Sequence, residues 1–438
     1  MPREKIGNPM NPRKRGNWKP KGAFNIQELP QALVMDILSR LSIKALYNCR
    51  GVCKDWLHII CDPQFANVHC LRSPIGILIR TNPRAKGQRR LGLIQIEKCA
   101  GSRLRVERMR FAPQNILPVS DASEVRLINS CNGLVCLAKG LDDGLYVCNP
   151  ILGEYISIPS PDKSMTCLFI FVGLGFNART NEYKVLQTYS NGQSEIYTIG
   201  TGVWRSIGKA PSGSFSMVPF NSFLHGALHW VPFSFDGSQF IQSFNFEAEQ
   251  FRPLAPPFKG HLKLSQHYNN LKLGVLKGCL LLCVLGAHNS EFDMWVMKDY
   301  GVQESWTKIL VIENLYPWVG HVLQNAYEPI VFFNDGEILM TYKDRVVVRY
   351  NQETKTVSRT GIIQTQSRFR AIAYCPCFVS LHDVSNGEEV IRVRDNNKFE
   401  EMFAKGSYNC AGSSKSADHK SKKLKSGSGQ LASGDGSK

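Results

Sequence analysis

The segment that decides how this chain is organised is residues 29–65, LPQALVMDILSRLSIKALYNCRGVCKDWLHIICDPQF. Its apolar residues recur at helical spacing and predict two amphipathic helices. Pro30 suits the first turn of the leading helix, and a short middle helix is expected over residues 43–49, between an N-cap at Ser42 and a break at Gly51. The apolar positions are Leu33, Val34, Ile37, Leu38, Leu41, Val52, Cys53, Trp56, Leu57 and Ile60.

The predicted helices form a three-helix unit of under about 40 residues, which is too small to bury a stable core by itself. So many large apolar side chains imply a covering partner. The alternative is a plain helical cap that packs on the rest of this chain.

The same segment resembles an F-box, the module by which F-box proteins dock on the Skp-type adaptor of a cullin-RING ubiquitin ligase. The resemblance lies in the Leu29-Pro30 pair, in ILSRL at residues 37–41 and in CRGVCKDW at residues 49–56. Gln31 and Ser42 depart from it, because the family usually has an acidic residue and often a proline at these positions. The resemblance implies that an apolar face binds the adaptor, and for this face we predict Leu29, Pro30, Ile37, Leu38, Leu41, Val52 and Trp56.

Length and composition fit one large domain and one small domain, with 438 residues of which 43% are apolar. Neither an apolar run of about 18 residues nor a signal-peptide core is found, so we expect a soluble protein of the nucleus or cytoplasm that does not bind membranes. The 14 cysteines are scattered, and several lie in apolar runs, which favours buried reduced thiols over disulfides.

The formal charge of +17 is concentrated at the two ends of the chain. Residues 1–24 carry a net charge of +6 and residues 405–438 carry +5, in segments poor in large apolar residues. We therefore predict disordered basic tails at 1–24 and 401–438, an F-box at 25–70 and a β-domain at 71–400. The basic clusters at residues 12–15 and 420–425 are either nuclear-import signals or solvated charge.

Beyond residue 70 the sequence has the pattern of a β-protein. Short segments rich in β-branched and aromatic residues alternate with turn dipeptides such as Asn132-Gly133 and Asp335-Gly336. The predicted strands include residues 75–80, 91–97, 134–138, 195–199, 224–231, 279–285, 292–297, 337–342 and 345–350.

A strand-turn-strand sequence motif also repeats along the β-domain. An aromatic or β-branched residue begins the second strand of each repeat. These landmark residues are Tyr155, Trp204, Phe251, Trp306 and Val357, and a weaker repeat falls near Val106. Their spacing of about fifty residues is that of a kelch-like β-propeller. We predict about six blades, closed by C-terminal strands (371–381 and 389–393) that complete the first blade, since an open ring would expose sheet edges.

This region is also similar to the F-box-associated domain of plant F-box proteins. The similarity lies in SCNGLVC at residues 130–136, Asn149-Pro150, GLGFN at 173–177, EYKV at 182–185 and HGALHW at 225–230. It implies a substrate-recognition subunit of an SCF-type ubiquitin ligase, whose helices bind the Skp adaptor, and through it the cullin and RING subunits, while the β-domain presents a target protein.

No enzyme motif accompanies these phrases, so we predict no catalytic residue, cofactor or metal. His225 and His229 stand four apart, but a strand pattern and Gly226 make a zinc-binding helix improbable. The alternative function is a lectin-like or nucleic-acid-associated propeller with a helical cap. Nucleic acid is disfavoured, because no basic stripe with interleaved aromatic residues follows the β-domain.

The target-binding surface is expected on propeller loops, where function concentrates. Two loops stand out, a basic one with Arg84, Arg89 and Arg90 and an apolar one with Phe233 and Phe235. For the basic loop the alternative is a solvated tip, and for the apolar loop it is burial against a neighbouring blade.

Overall fold

A computed structural model describes the helical segment and most of the β-domain. The described residues are 29–72, 76–81, 91–99, 103–111, 125–139, 144–161, 169–211, 222–231, 241–257, 271–285, 291–313, 327–333, 335–342, 345–363, 369–392 and 408–410. Within these ranges no helix is long and apolar enough to cross a membrane.

Four helices form the N-terminal helical domain, and the prediction of three was wrong in number. They are α1 Gln31–Leu38, α2 Ile43–Cys49, α3 Lys54–Cys61 and α4 Pro63–Arg72. Ser42 caps α2 as predicted, since its hydroxyl accepts a hydrogen bond from the Ala45 amide at 3.3 Å. The additional helix begins where the Asp62 carboxylate accepts a hydrogen bond from the Gln64 amide at 2.6 Å, with proline in the first turn.

The rest of the described chain is mainly strands, with a short α-helix, α5 Leu381–Val384, and a 3-10 helix at Gln303–Ser305. The first strands in chain order are β1 Gly76–Thr81, β2 Leu91–Cys99, β3 Arg103–Phe111, β4 Val125–Cys131, β5 Leu134–Lys139, β6 Leu145–Asn149, β7 Glu154–Ile158, β8 Phe169–Asn177, β9 Glu182–Tyr189, β10 Gln193–Thr198, β11 Trp204–Lys209, β12 Phe223–Leu224 and β13 Ala227–Trp230. They are followed by β14 Ile241–Asn245, β15 Gln250–Leu254, β16 Leu271–Leu276, β17 Cys279–Leu285, β18 Glu291–Met297, β19 Trp306–Glu313, β20 Tyr327–Phe332, β21 Ile338–Tyr342, β22 Val346–Asn351, β23 Thr356–Arg359, β24 Phe369–Tyr374, β25 Ile391–Arg392 and β26 Tyr408–Cys410.

These strands form the six antiparallel sheets of a six-bladed propeller, which confirms the predicted fold class. Blade I has the order β24-β1-β2-β3-β26. Blade II contains β4 to β7, blade III β8 to β11, blade IV β12 to β15, blade V β16 to β19 and blade VI β20 to β23. In each blade the first strand of the four, which is β24 in blade I, lies innermost.

The fifty-residue period is confirmed strand by strand. Each landmark is the first or second residue of the fourth strand of its blade. It pairs with a residue of the third strand. The pairs are Cys148 with Tyr155, Tyr197 with Trp204, Phe244 with Phe251, Met297 with Trp306, and Tyr350 with Val357. In blade I, Val106 pairs with Ile96 in the same way.

The C-terminal region closes the ring through β24, which pairs with β1 from Gly76 to Thr81. Residues 389–393 were wrongly expected in the same blade, because β25 pairs instead with the outer edge of blade II, at β7. The tail predicted to be disordered contains β26, which pairs with β3. Both additions cover an exposed outer edge of a blade, where unpaired backbone groups accept a further strand.

The strand predicted over residues 224–231 is wrong, because it is a hairpin. His225 and Gly226 have φ values of 49° and 72°, and they reverse the chain between β12 and β13. Asn132 and Gly133 adopt the predicted tight turn between β4 and β5, with φ values of 46° and 83°. A turn opened by Asn is readily identified in a sequence, whereas one opened by His is not.

Glycines in β8 allow blades III and IV to pack closely. A Cβ atom on Gly175 would lie 2.1 Å from the Phe246 ring, and one on Gly173 would lie 2.2 Å from Leu228. The Gly173-Leu174-Gly175 phrase therefore has a packing role, since a side chain at either glycine would overlap the neighbouring blade.

The helical domain and the propeller ring share one hydrophobic core, so the helices are not an independent domain joined by a flexible linker. The helical residues of this core include Val34, Leu38, Leu46, Ile60 and Phe65. Its ring residues include Leu78, Leu93, Leu137, Tyr155 and Phe378. The helices lie on the face of the ring that carries the hairpins between first and second strands.

Candidate functional site

Helix α1 presents an apolar surface to solvent. Leu33 and Ile37 are 51% and 44% exposed, whereas Val34 and Leu38 face the core and are nearly or fully buried. This division follows from helical geometry, since residues three or four apart lie on one face. Pro30 precedes the helix and extends the exposed face by one turn.

Further apolar side chains surround this helix. Val52, between α2 and α3, is 56% exposed, and Leu29 and Trp56 are half-buried. A groove of about 650 Å³ runs between α1 and α3 and is lined by residues that include Leu29, Met35 and Trp56. We call Leu29, Pro30, Leu33, Ile37, Val52 and Trp56 the α1 surface.

Of the seven residues predicted to bind the adaptor, six keep exposed area and one does not. Leu38 is fully buried in the shared core, so its assignment to a contact surface was wrong. Leu41 is half-buried. Leu33 was missed as a site residue, although its spacing from Pro30 and Ile37 is the signal that would have found it.

Charged side chains fix the end of α1. Asp36 pairs with Arg40 at 3.1 Å and also with Arg72 of α4. Hydrogen bonds from Arg40, supported by Arg72, hold the pKa of the Asp36 carboxyl below its ordinary value. Arg72 also donates to the Ser39 hydroxyl at 2.9 Å, so the pairs join the first and last helices of the domain.

His69 joins the helical domain to the ring. Its Nε2 atom lies 2.9 Å from the Leu41 carbonyl oxygen, and its Nδ1 atom lies 3.7 Å from Cys375 Sγ. Burial lowers the pKa of His69, which keeps its imidazole neutral. With Nε2 as the donor to Leu41, Nδ1 is an acceptor that faces the thiol.

The segment after β24 forms a second connection beneath the helices. Phe378 lies under α2, where the Arg50 guanidinium is 4.7 Å from its ring centroid. Asn149 donates its side-chain amide to the Val379 carbonyl at 2.7 Å, and Glu154 accepts from the Leu381 amide at 2.8 Å. Helices, blade II and C-terminal segment are thereby held in one arrangement.

His229, one of the two histidines weighed as metal ligands, packs inside blade IV of the propeller. His229 is fully buried, with Nδ1 2.8 Å from the Ser222 carbonyl and Nε2 2.7 Å from the Tyr300 hydroxyl. Burial lowers its pKa to about 4. Both ring nitrogens are occupied, and the described part of the chain holds no group of three side chains arranged for a metal ion.

Cys375 and Cys377, in the segment after β24, are buried thiols. Neither forms a disulfide among the described residues, and burial raises the pKa of Cys377 to about 12. A thiol with so high a pKa is a weak nucleophile.

The residues predicted to bind a target lie outside the described ranges. Arg84, Arg89 and Arg90 follow β1, and Phe233 and Phe235 follow β13. Both β1 and β13 are second strands of their blades, and the connections to the third strands leave from the face opposite the helical domain.

Comparison with known proteins assigns both parts of the chain. A family model described as the F-box associated beta propeller domain matches residues 106–380, and one described as F-box-like matches residues 26–72. F-box protein At3g07870 of Arabidopsis thaliana is 29% identical over 375 residues, which cover 74% of this chain and 85% of that protein. From the same plant, F-box protein CPR1 is 26% identical over 386 residues, covering 78% of this chain and 86% of that protein. F-box/kelch-repeat protein At3g23880 is 25% identical over 318 residues, covering 68% and 82%.

The matches follow the structural division between helices and ring. The F-box-like match ends at the last residue of α4, and the propeller match runs from β3 to the segment beneath the helices. The chain therefore belongs to the plant F-box proteins that carry an F-box associated β-propeller domain.

Proposed function

We propose that this protein is the substrate-recognition subunit of an SCF-type ubiquitin ligase. Its α1 surface binds a Skp-type adaptor, and through it the cullin and RING subunits, while the ring presents a target protein. The observation that carries the proposal is the exposed apolar face of Leu33, Ile37 and Val52 on a domain that belongs to the F-box family.

The chemistry of the α1 surface suits a permanent protein partner. Covering a fully exposed Leu or Ile contributes about 1.5–3 kcal/mol, and half-exposed side chains contribute proportionally less. Trp56, half-buried beside the groove, can supply the aromatic anchor that interfaces favour.

The link between helices and ring supports a positional role. A receptor accelerates transfer by raising the concentration of its target near the charged enzyme, which requires a fixed geometry between the two binding surfaces. The shared core and the hydrogen bonds of His69, Asn149 and Glu154 supply such a connection. The protein then needs no catalytic group of its own.

We assign target binding to the face of the ring opposite the helices. The loops after β1 and β13, which carry Arg84, Arg89, Arg90, Phe233 and Phe235, depart from that face. A target held there does not compete with the adaptor for the same surface. An acidic partner is favoured by the basic loop.

Co-purification with a Skp-type adaptor tests the proposal. The Leu33→Asp and Ile37→Asp double variant places two charges on exposed positions of α1, so the fold should persist while adaptor binding weakens at least a hundredfold. Val203→Asp is the matched control, since Val203 is 65% exposed on the ring. Equal adaptor recovery by both variants would contradict the proposal.

A further inference from the structure

A cavity of about 750 Å³ lies between the helical domain and the centre of the ring. Arg40 and Arg72 line it from the helices, and each of the six blades contributes residues to its wall. The volume falls in the range of small-molecule sites, roughly 300–1,000 Å³. None of its lining residues belongs to the α1 surface, so the site is separate from the proposed adaptor contact.

Three tight turns form much of the wall. Asn132, His225 and Lys277 are the first residues of the β4–β5, β12–β13 and β16–β17 hairpins, with φ values of 46°, 49° and 48°. Each is followed by a glycine, and all three line the cavity. The hairpins of blades II, IV and V thus contribute polar side chains to the wall of one cavity.

The charge of this cavity favours an anion. Among the described residues that line it, none is acidic, whereas Arg40, Arg72 and Lys277 are cationic. Asp36 neutralises part of the arginine charge. Lys277 forms no ion pair with a carboxylate of the described residues, so net positive charge remains.

An unpaired donor marks the same wall. Asn132 is only 7% exposed, and its side-chain Nδ2 atom has no hydrogen-bond partner among the described residues. A buried N–H without an acceptor costs free energy. Asn132 also lines the cavity, so this donor lies in the cavity wall.

Apolar side chains complete the lining. They include Phe176, Phe223, Leu276 and Phe332. We propose that the cavity binds a small molecule with one carboxylate and an apolar aryl or alkyl body, the carboxylate being held by Lys277, while Asn132, from the blade opposite, supplies a further hydrogen-bond donor. A single negative charge matches the few cations, and the bound molecule contacts helices and ring at once.

Isothermal titration of the full chain with four carboxylates tests this inference. The probes are phenylacetate, 4-phenylbutanoate, 1-naphthoate and octanoate, each compared with its neutral primary amide. At least one acid is expected to bind with a dissociation constant below 1 mM and at least tenfold more tightly than its amide. Absence of binding by all four acids at 1 mM, or equal binding of acid and amide, overturns the proposal.

Two variants locate the binding. Lys277→Gln is expected to weaken the best acid at least fivefold, and Lys355→Gln is the matched control because Lys355 has a φ of 54° in an outer turn and does not line the cavity. Asn132→Asp keeps a residue that tolerates this backbone but replaces the donor with a negative charge, so binding should fall at least tenfold. Unchanged binding in folded Lys277→Gln protein would overturn the assignment.

The outcome is independent of the adaptor experiment. The Leu33→Asp and Ile37→Asp variant should bind the acids as the unmodified chain does, and Lys277→Gln should still recover the adaptor. Failure of one proposal therefore leaves the other to be judged by its own measurement.

Discussion

The side-chain amide of Asn149 donates to the carbonyl oxygen of Val379 at 2.7 Å, joining residues 230 positions apart. The same side chain accepts from the Ile151 amide at 2.9 Å, so it also shapes the turn after β6. One buried residue thus fixes both a local turn and the path of the C-terminal segment beneath the helices.

Replacing Asn149 with Ala should therefore cost more than loss of the turn alone. We expect about 2–4 kcal/mol, because buried carbonyl groups lose their donor. The matched control is Asn245→Ala, since Asn245 holds the equivalent turn after β14 through the Glu247 and Ala248 amides. That change should cost about 1 kcal/mol. Urea unfolding measures both, and similar losses would show that the long-range bond adds little.

Leu38 and Ile37 are neighbours in the chain with opposite environments. Leu38→Ala should lower stability by about 2–5 kcal/mol, since it leaves a cavity in the shared core. Ile37→Ala should change stability by under about 0.5 kcal/mol. Adaptor affinity, measured on folded protein, should fall more in Ile37→Ala than in Leu38→Ala. A stability loss from Ile37→Ala as large as that from Leu38→Ala would contradict the exposure found here.

Gly175→Ala tests the packing between blades III and IV. The added methyl group would overlap the Phe246 ring, so we expect a loss of about 1–3 kcal/mol in thermal or urea unfolding. The Phe246→Leu change should recover part of that loss in the double variant, although it is destabilising alone. Strict additivity of the two changes would argue against direct contact.

Acidification should destabilise the ring through His229. Its pKa is lowered from 6.5 to about 4, so between these values the unfolded chain binds a proton that the folded chain does not. Stability is therefore complete above pH 6.5 and falls as the pH drops towards 4, by about 3 kcal/mol for this group. Unfolding at several pH values should give a flatter profile for His229→Gln. An unchanged profile would show that protonation of the His229 imidazole is not coupled to unfolding.

The sequence was sufficient for the repeating features of the fold. Trp204 and Trp306 open outer strands as their spacing predicted, and each pairs with a residue of the strand inside it. The Leu29-Pro30 pair and the pattern of α1 likewise located the helical domain. Such features repeat or match a family and need no knowledge of distant contacts.

Features set by tertiary contacts were not accessible in the same way. Leu38 and Ile37 have the same apolar character, and only packing against the ring decides that one is buried and the other exposed. His225-Gly226 lacks the Asn or Asp that identifies a tight turn. The grouping of Asn132, His225 and Lys277 around one cavity depends on ring closure, which arranges the hairpins of separate blades around one opening.

The shared core also makes the packing of the helices depend on a part of the chain that is synthesised late. The helices leave the ribosome first, but Phe378, which lies beneath α2, is made roughly 300 residues later, on the order of 15–60 s at usual synthesis rates. Until then the part of the shared core that Phe378 fills beneath α2 is incomplete. We expect that a prematurely terminated chain is unable to hold its helices in place, which would restrict the proposed adaptor binding to the finished chain.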